Sequence, residues 1–246
     1  MRTKVVSDRL TMKALAFAAT LSLTISWEAF AQDSKLLVEP NGASKQPAEV
    51  AANIDVAAIQ KKITELTEAI KREPKNDAFY GARGDGYQRL GKLDLSIKDL
   101  SRAIELNPKR QAYYELRAFI YGRQKRYHDS YVDYSKAIEC GPQTHYLVLK
   151  QGQAAALAED FKTALNSARI ADGLKKDDVK TLTLLGAAEQ KLGLLVDSLK
   201  HLTKAIELDA SAGGVMLIRA DTYSLMGKKD LAKRDEENAR KLGFQH

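Results

Sequence analysis

The side chains that could carry out acid–base, nucleophilic or metal chemistry are few and scattered along the chain. The histidines are His128, His145, His201 and His246. None of them forms an HxxxH pair or an HExxH motif, the spacings that place two imidazoles on one helix face to bind zinc. Cys140 lies five residues before His145, and a thiol beside an imidazole can act as a nucleophile. A lone cysteine is more often a small apolar packing residue, and this is the role we expect for Cys140.

The glycines do not form a phosphate-cradling motif, and the many Glu and Lys residues are typical of solvated helix faces. We therefore expect no catalytic, cofactor-binding or metal site. The formal net charge of +7 is spread along the 246 residues without a dense basic tract, which argues against a nucleic-acid ligand. A single cysteine cannot form an internal disulfide, so the stability of the protein must come from packing.

The first 31 residues have the layout of a secretory signal peptide. Four basic residues precede an uncharged run, Ala14–Trp27, and Ala29-Phe30-Ala31 follows just before Gln32. The run would span about 21 Å as a helix, which is shorter than the roughly 30 Å of a hydrocarbon core. We expect cleavage after Ala31, no stable membrane anchor and a periplasmic or extracellular product, the alternative being an uncleaved signal anchor. Cleavage would lower the formal net charge from +7 to +5.

A short polar segment separates this leader from the helical part of the chain. Residues 32–54 contain Pro40, Gly42 and Pro47 without any hydrophobic period, which predicts a flexible linker. The pattern changes at Asp55, a plausible helix N-cap. Apolar residues then recur every three or four positions up to Pro74, so we expect residues 55–76 to form an N-terminal capping helix.

From Asp77 onward the sequence repeats itself every 34 residues. Tyr87–Gly91 aligns with Tyr223–Gly227, and Ser101–Leu106 aligns with Thr203–Leu208, at offsets that are multiples of 34. A fixed period of this size predicts stacked repeats. The frame divides the chain into 77–110, 111–144, 145–178, 179–212 and 213–246.

Small side chains occupy fixed columns of this frame. Repeat position 8 holds Gly84, Ala118, Gly152, Gly186 and Ala220, position 20 holds only Ser or Ala, and position 27 holds only Ala. Small residues at regular sites allow two helices to approach closely. Proline at position 32 of the first two repeats ends their second helix, and glycine at position 15 of repeats one, four and five suits the end of the first helix.

A 34-residue unit with these columns resembles the tetratricopeptide repeat (TPR) family, over the whole of 77–246. The resemblance implies an all-α, right-handed superhelical solenoid, here of about 11 helices. It also implies a function as a protein–protein interaction scaffold, with the partner in a concave groove lined by the first helix of each repeat. The third repeat departs from the family pattern because it has Ala155 at position 11 and Lys176 at position 32.

A pair of charged columns predicts ion pairs between the two helices of a repeat. Position 7 is Arg83, Arg117 and Arg219 in repeats one, two and five, where position 23 is Asp99, Asp133 and Asp235. Repeats three and four lack both the Arg and the Asp. We expect each Arg to pair with the Asp of its own repeat, or else with that of a neighbouring repeat. The alternative is that the three arginines bind ligand anions.

The groove residues follow from family analogy, at repeat positions 2, 5, 6, 9, 12 and 13. They are Asp85, Gln88, Arg89, Glu115, Phe119, Arg123, Tyr146, Lys150, Gln153, Leu157, Lys180, Gln190, Lys191 and Asp221. This mixed set suits an extended peptide or protein partner with some acidic character. Gly81 and Asp85 do not match the carboxylate clamp of the chaperone-binding TPR subgroup. A self-assembling structural role and an enzyme with an unrecognised site remain as alternatives, and the sequence leaves the oligomeric state open.

The leader makes a direct prediction about the mature protein. Protein purified from its native host should begin at Gln32 and contain no tryptophan, because Trp27 is the only one in the chain. Intact-mass analysis measures this. Recovery of the full-length chain from the cytosol would contradict the export hypothesis.

Overall fold

The computed structural model describes residues 55–244, and within this range every regular element is an α-helix. There are eleven helices: α1 (Val56–Arg72), α2 (Asp77–Arg89), α3 (Leu93–Leu106), α4 (Gln111–Arg123), α5 (Tyr127–Cys140), α6 (His145–Leu157), α7 (Phe161–Leu174), α8 (Val179–Lys191), α9 (Leu195–Leu208), α10 (Gly213–Leu225) and α11 (Lys229–Lys241). No helix in 55–244 is both long and apolar enough to cross a membrane. The leader and linker expected before Asp55 lie outside the described residues.

The helices follow the 34-residue frame without a shift. In each repeat the first helix begins at position 1, and the second begins at position 17. The third repeat keeps this frame although it lacks the proline at position 32. Its second helix still ends at Leu174, and Asp178 caps α8 by accepting from the backbone N–H of Thr181. Helix α1 precedes the first pair, and its N-cap is Asp55, whose carboxylate accepts from the N–H of Ala58 at 2.9 Å.

The described residues divide into two compact units. Residues 55–176 hold α1 to α7, and residues 177–244 hold α8 to α11. In the first unit, Leu100 and Ile120 are fully buried in one apolar cluster, and Tyr134 is buried in another. In the second, Met216 and Leu217 pack with Ala239.

The two helices of a repeat approach closely at the columns of small residues. Ala103, Ala137, Ala171, Ala205 and Ala239 at position 27 are all fully buried. Ser96 donates a hydrogen bond to the carbonyl of Gly84 across the same gap at 2.6 Å. A Cβ on Gly186 would lie 2.5 Å from Cγ of Leu202, so that side chain fills the space left by the glycine.

The link between the two helices of a repeat passes through the left-handed region at position 15. Gly91, Gly193 and Gly227 have φ of 72°, 78° and 74° there. Lys125 and Glu159 take the same conformation with φ of 60° and 63°, although they carry a Cβ. The tight turn therefore requires positive φ in all five repeats and costs strain in repeats two and three.

Each arginine of position 7 contacts the aspartate of its own repeat. Nε of Arg83, Arg117 and Arg219 donates to Oδ2 of Asp99, Asp133 and Asp235 at 2.7 Å in every case. Nη2 donates to Oδ1 at 2.8–2.9 Å, so each contact is bidentate. The carboxylates are buried, and each arginine side chain is about one-sixth exposed.

The guanidinium also reaches the preceding second helix. Nη1 of Arg83 donates to Thr67 Oγ1 at 3.0 Å, Nη1 of Arg117 to Ser101 Oγ at 2.8 Å, and Nη1 of Arg219 to Thr203 Oγ1 at 3.1 Å. These hydroxyls lie 16 residues before the arginine, just as the aspartates lie 16 residues after it. The arginine therefore joins three consecutive helices, and we call this set of contacts the helix link.

The third repeat contains a neutral helix link in the same place. Gln151 Nε2 donates to Ser135 Oγ at 2.9 Å, and Ser167 Oγ donates to Gln151 Oε1 at 3.0 Å. The fourth repeat has Leu185 at position 7. Its position-23 residue, His201, contacts Glu189 instead, with 2.7 Å between Nδ1 and Oε2.

A double-mutant cycle on Arg117→Leu and Asp133→Leu measures the coupling within one helix link. Each single change leaves a partly buried charge without its partner and should cost about 3–5 kcal/mol of unfolding free energy. The double change removes both charges and should cost less than either single change. Urea unfolding of the four proteins gives these values, and simple additivity would show that the residues do not interact.

The strained turns offer a stabilising substitution. Lys125→Gly should raise the free energy of unfolding by about 0.5–1 kcal/mol, because glycine adopts positive φ without a Cβ penalty. Gly91→Ala at the equivalent position should lower it by a similar amount. Chemical denaturation compares the two variants, and a destabilised Lys125→Gly protein would contradict the assignment of strain.

Candidate functional site

The groove residues expected from the sequence differ widely in exposure. In residues 55–176, Asp85, Arg89 and Arg123 are exposed, whereas Gln88, Glu115, Phe119 and Tyr146 are half-buried. Lys150, Gln153 and Leu157 of α6 are buried. In residues 177–244, Lys180 is exposed, Lys191 and Asp221 are half-buried, and Gln190 is buried. Exposure alone therefore leaves Asp85, Arg89 and Arg123 as the most accessible charged members in the first unit.

Burial shifts the pKa of two groove residues, Glu115 and Tyr146, and of the neighbouring Tyr134. Burial raises the pKa of the Glu115 carboxyl above its ordinary value. Burial, with a smaller contribution from the Glu115 charge, raises the pKa of Tyr146 to about 12. Burial raises the pKa of Tyr134 well above its ordinary value, with Tyr146 and Glu115 adding to the shift. Glu115 makes no hydrogen bond or ion pair with the residues that the structure describes.

Helix α6 carries one charged and one amide side chain on the same face. Lys150 is buried, and its ammonium nitrogen lies 5.8 Å from the centroid of the Tyr146 ring. Oε1 of Gln153 is buried without a hydrogen-bond partner. A buried carbonyl oxygen of this kind has the capacity to accept a hydrogen bond from a ligand donor.

The side chain of Gln190 makes hydrogen bonds within the fold. Its Nε2 donates to the carbonyl of Ile218 and to Thr222 Oγ1, both at 3.1 Å, so it connects α8 with α10. A peptide contact by this amide would compete with two buried hydrogen bonds. The arginines at position 7 also make their hydrogen bonds within the fold. Asp99 and Asp235 each accept two hydrogen bonds, and this raises the pKa of Arg83 and Arg219. The helix links favour a structural role for these arginines over anion binding.

Cys140 packs against the buried cluster that contains Tyr134 and Ala137. Cys140 is half-buried, and its thiol contacts the carbonyl oxygen of Pro108 at 3.5 Å. Cys140 thus has the apolar packing role expected from the sequence, at the edge of the core, whereas Leu174, Leu208 and Leu242 at the same repeat position are exposed. Within 55–244 no group of three His, Cys, Asp or Glu side chains is placed to hold a metal ion.

The sequence analysis did not predict the hydroxyl of the helix link. Thr67, Ser101, Ser135 and Thr203 all occupy repeat position 25, so a hydroxyl column was present to be found. Each hydroxyl residue belongs to the repeat before that of its arginine, whereas the sequence analysis paired only columns within one repeat. The Glu189–His201 contact had no such signal, because neither residue recurs at its position in the other repeats.

Residues 78–110 match the family model described as tetratricopeptide repeat. The comparison with curated proteins found no match.

Solved structures with the same fold include YrrB, described as a TPR protein with an unusual peptide-binding site. It is 19% identical, with a TM-score of 0.63 over 72% of this chain and 91% of that one. MamA from Desulfovibrio magneticus RS-1 is 14% identical, with a TM-score of 0.63 over 68% and 94%. The Cut9–Hcn1 complex of APC/C is 15% identical, with a TM-score of 0.55 over 89% and 42%.

These structural likenesses concern the fold, and the family match lies on the first of the helix pairs. The same two-helix frame and the same small-residue columns continue through the residues that the structure describes. Residues 78–110 match the tetratricopeptide repeat, and the described residues share the fold of solved tetratricopeptide-repeat structures.

Proposed function

We propose that this helical repeat scaffold binds an extended peptide or protein segment across the first helices of its repeats. The observation that carries the proposal is the exposure and ion pairing of the charged side chains on α2 and α4. Asp85, Arg89 and Arg123 are exposed. None of these three residues makes an ion pair with any described residue, and neither does Glu115. The position-7 arginines, in contrast, bind the aspartates and hydroxyls of the helix links. The scaffold thus keeps some charges for its own stability and leaves others available for a partner.

The chemistry of these side chains indicates the partner. Arg89 and Arg123 occupy the same repeat position, at the last residue of α2 and of α4. Guanidinium groups bind carboxylates by paired hydrogen bonds, so acidic side chains of the partner would be held here. Phe119 offers a half-buried aromatic surface for an apolar side chain. The carboxylates of Glu115 and Asp85 favour a partner that also carries hydrogen-bond donors. The expected partner is therefore a peptide of mixed charge that contains acidic residues.

The similarity to YrrB supports a peptide ligand, because that protein is described as having an unusual peptide-binding site. TPR folds are in general non-catalytic scaffolds, and we propose that this protein is not an enzyme. The basic, apolar and Ala-Phe-Ala segments of the leader support action in the periplasm or outside the cell.

Site-specific photocrosslinking tests where the partner binds. A benzoylphenylalanine replacing Phe119 should capture a partner protein in the native host, because this side chain lies on the proposed surface. The same group replacing Val132, an exposed residue of α5, is the matched control and should capture far less. Mass spectrometry identifies the crosslinked partner.

The charge contribution is then measured on the identified peptide. Arg89→Ala combined with Arg123→Ala should weaken binding about tenfold or more, which is about 1.4 kcal/mol, and reduce its salt dependence. Lys98→Ala combined with Lys136→Ala alters two lysines of the second helices, α3 and α5, and should leave affinity unchanged. Equal losses for both pairs, or preferential capture at Val132, would move the binding surface away from the first helices.

A further inference from the structure

Glu115 is the one charged residue among the five at repeat position 5. The other repeats have Gly81, Leu149, Thr183 and Leu217 there, and all four are buried. A charged side chain at this place on the first helix is therefore not required to build the repeat. A carboxylate in such a place loses part of its hydration, which costs free energy unless it gains a partner.

The surroundings of Glu115 desolvate its carboxylate without supplying a partner. The side chain is half-buried, and burial is the cause of the raised pKa of its carboxyl. Among the described residues it accepts no hydrogen bond and forms no ion pair. Lys150 of α6, whose ammonium nitrogen lies 5.8 Å from the centroid of the Tyr146 ring, does not pair with it. The carboxylate can therefore accept hydrogen bonds from a ligand.

Two tyrosine hydroxyls lie near this carboxylate. Tyr134 of α5 and Tyr146 of α6 pack in one apolar cluster, and the charge of Glu115 adds to the rise in the pKa of both phenols. Tyr134 is 3% exposed and occupies repeat position 24, where the first and fourth repeats have the fully buried Leu100 and Leu202. Neither hydroxyl makes a hydrogen bond with a described residue. A polar group has thus been added at a core position and is not used by the described part of the fold.

Aromatic rings flank these polar groups. Phe119 lies four residues after Glu115, on the same face of α4, and its ring is half-buried against the cluster of Leu100 and Ile120. A ligand group that suits these surroundings must carry hydrogen-bond donors at its tip and an apolar stem behind them. Lysine and arginine side chains have both, because their methylene stems pack on apolar surface while the charged head stays in a polar environment.

We propose that Glu115, Tyr134 and Tyr146 form a subsite for a lysine or arginine side chain of the partner peptide. This inference rests on the proposed function, because the subsite lies among the groove residues of the first helices. The cation supplies the opposite charge that Glu115 lacks, and its N–H groups donate to the carboxylate and to the phenolic oxygens. The aromatic faces attract the same charge. Acidic residues of the peptide bind Arg89 and Arg123, so the partner is recognised by both signs of charge.

The subsite predicts that Glu115 is kept at a cost to the stability of the fold. Glu115→Gln should raise the urea midpoint of unfolding of the full chain, because the amide has the same shape and carries no charge to desolvate. Glu139→Gln changes an exposed glutamate of α5 that pairs with Lys136, and it should not raise the midpoint. A lowered midpoint for Glu115→Gln would show that the carboxylate stabilises the fold, and this would overturn the proposal.

The binding test uses a library of random dodecapeptides displayed on phage. The library is selected separately on the unsubstituted full chain, on Glu115→Gln and on Glu139→Gln. Peptides enriched on the unsubstituted chain should share a lysine or arginine at one position, together with acidic residues. Selection on Glu115→Gln should lose the preference for the basic residue and keep the preference for acidic ones. Selection on Glu139→Gln should keep both preferences.

An enriched peptide then measures the individual contacts. Replacing its basic residue by norleucine should weaken binding to the unsubstituted chain about tenfold and should have little effect on binding to Glu115→Gln. Tyr134→Phe and Tyr146→Phe should each weaken binding severalfold, because each removes one hydroxyl. Tyr131→Phe, at the edge of the same apolar cluster, should leave the affinity unchanged. Lysine and arginine versions of the peptide show which of the two cations binds more tightly.

The outcomes distinguish the subsite from the proposed function. Enriched peptides that need Arg89 and Arg123 but share no basic residue would overturn the subsite and leave the proposed function standing. The same holds for peptides whose basic residue contributes equally to binding with Glu115 and with Glu115→Gln. A library from which no peptide is enriched would overturn both.

Discussion

The close approach of two helices within each repeat is the constraint on which the rest of the structure depends. It requires a small residue wherever one helix crosses the other, as at Gly186 against Leu202 and at the fully buried Ala103. Because the crossing has the same geometry each time, the second helix always begins 16 residues after the first. The turn between them is then too short for ordinary backbone angles, and Lys125 adopts positive φ to satisfy it.

The same spacing places polar side chains of successive helices together. A residue 16 positions after Arg117 lies on the facing helix of its own repeat, and a residue 16 positions before it lies on the preceding second helix. One guanidinium has enough donors in fixed directions to serve both, which lysine could not do with the same geometry. The inward-facing arginine thereby bonds to both neighbouring helices, whereas Arg89 and Arg123 at the ends of the same first helices are exposed.

The repeat frame and the Arg–Asp contacts could be predicted from the sequence because each is written in several copies of one column. Five small residues at position 8 define a helix crossing that one residue would not, and Arg83 and Asp99 recur together. The candidate site was less predictable. Whether Lys150 and Gln190 are buried depends on their surroundings in the fold, which no column records. Gln190 in particular was indistinguishable from a solvent-exposed amide until its bonds to Ile218 and Thr222 were seen.

The mixture of ionic and neutral helix links has a consequence for the response of the protein to heat. Hydration of charged groups becomes less favourable as temperature rises, so the cost of removing Arg83 and Asp99 from water falls on warming. The amide–hydroxyl link at Gln151 gains little from this effect, because its members carry no charge. The balance of stability between neighbouring repeats therefore shifts with temperature, and the neutral link becomes relatively weaker than the ionic links beside it in warm surroundings.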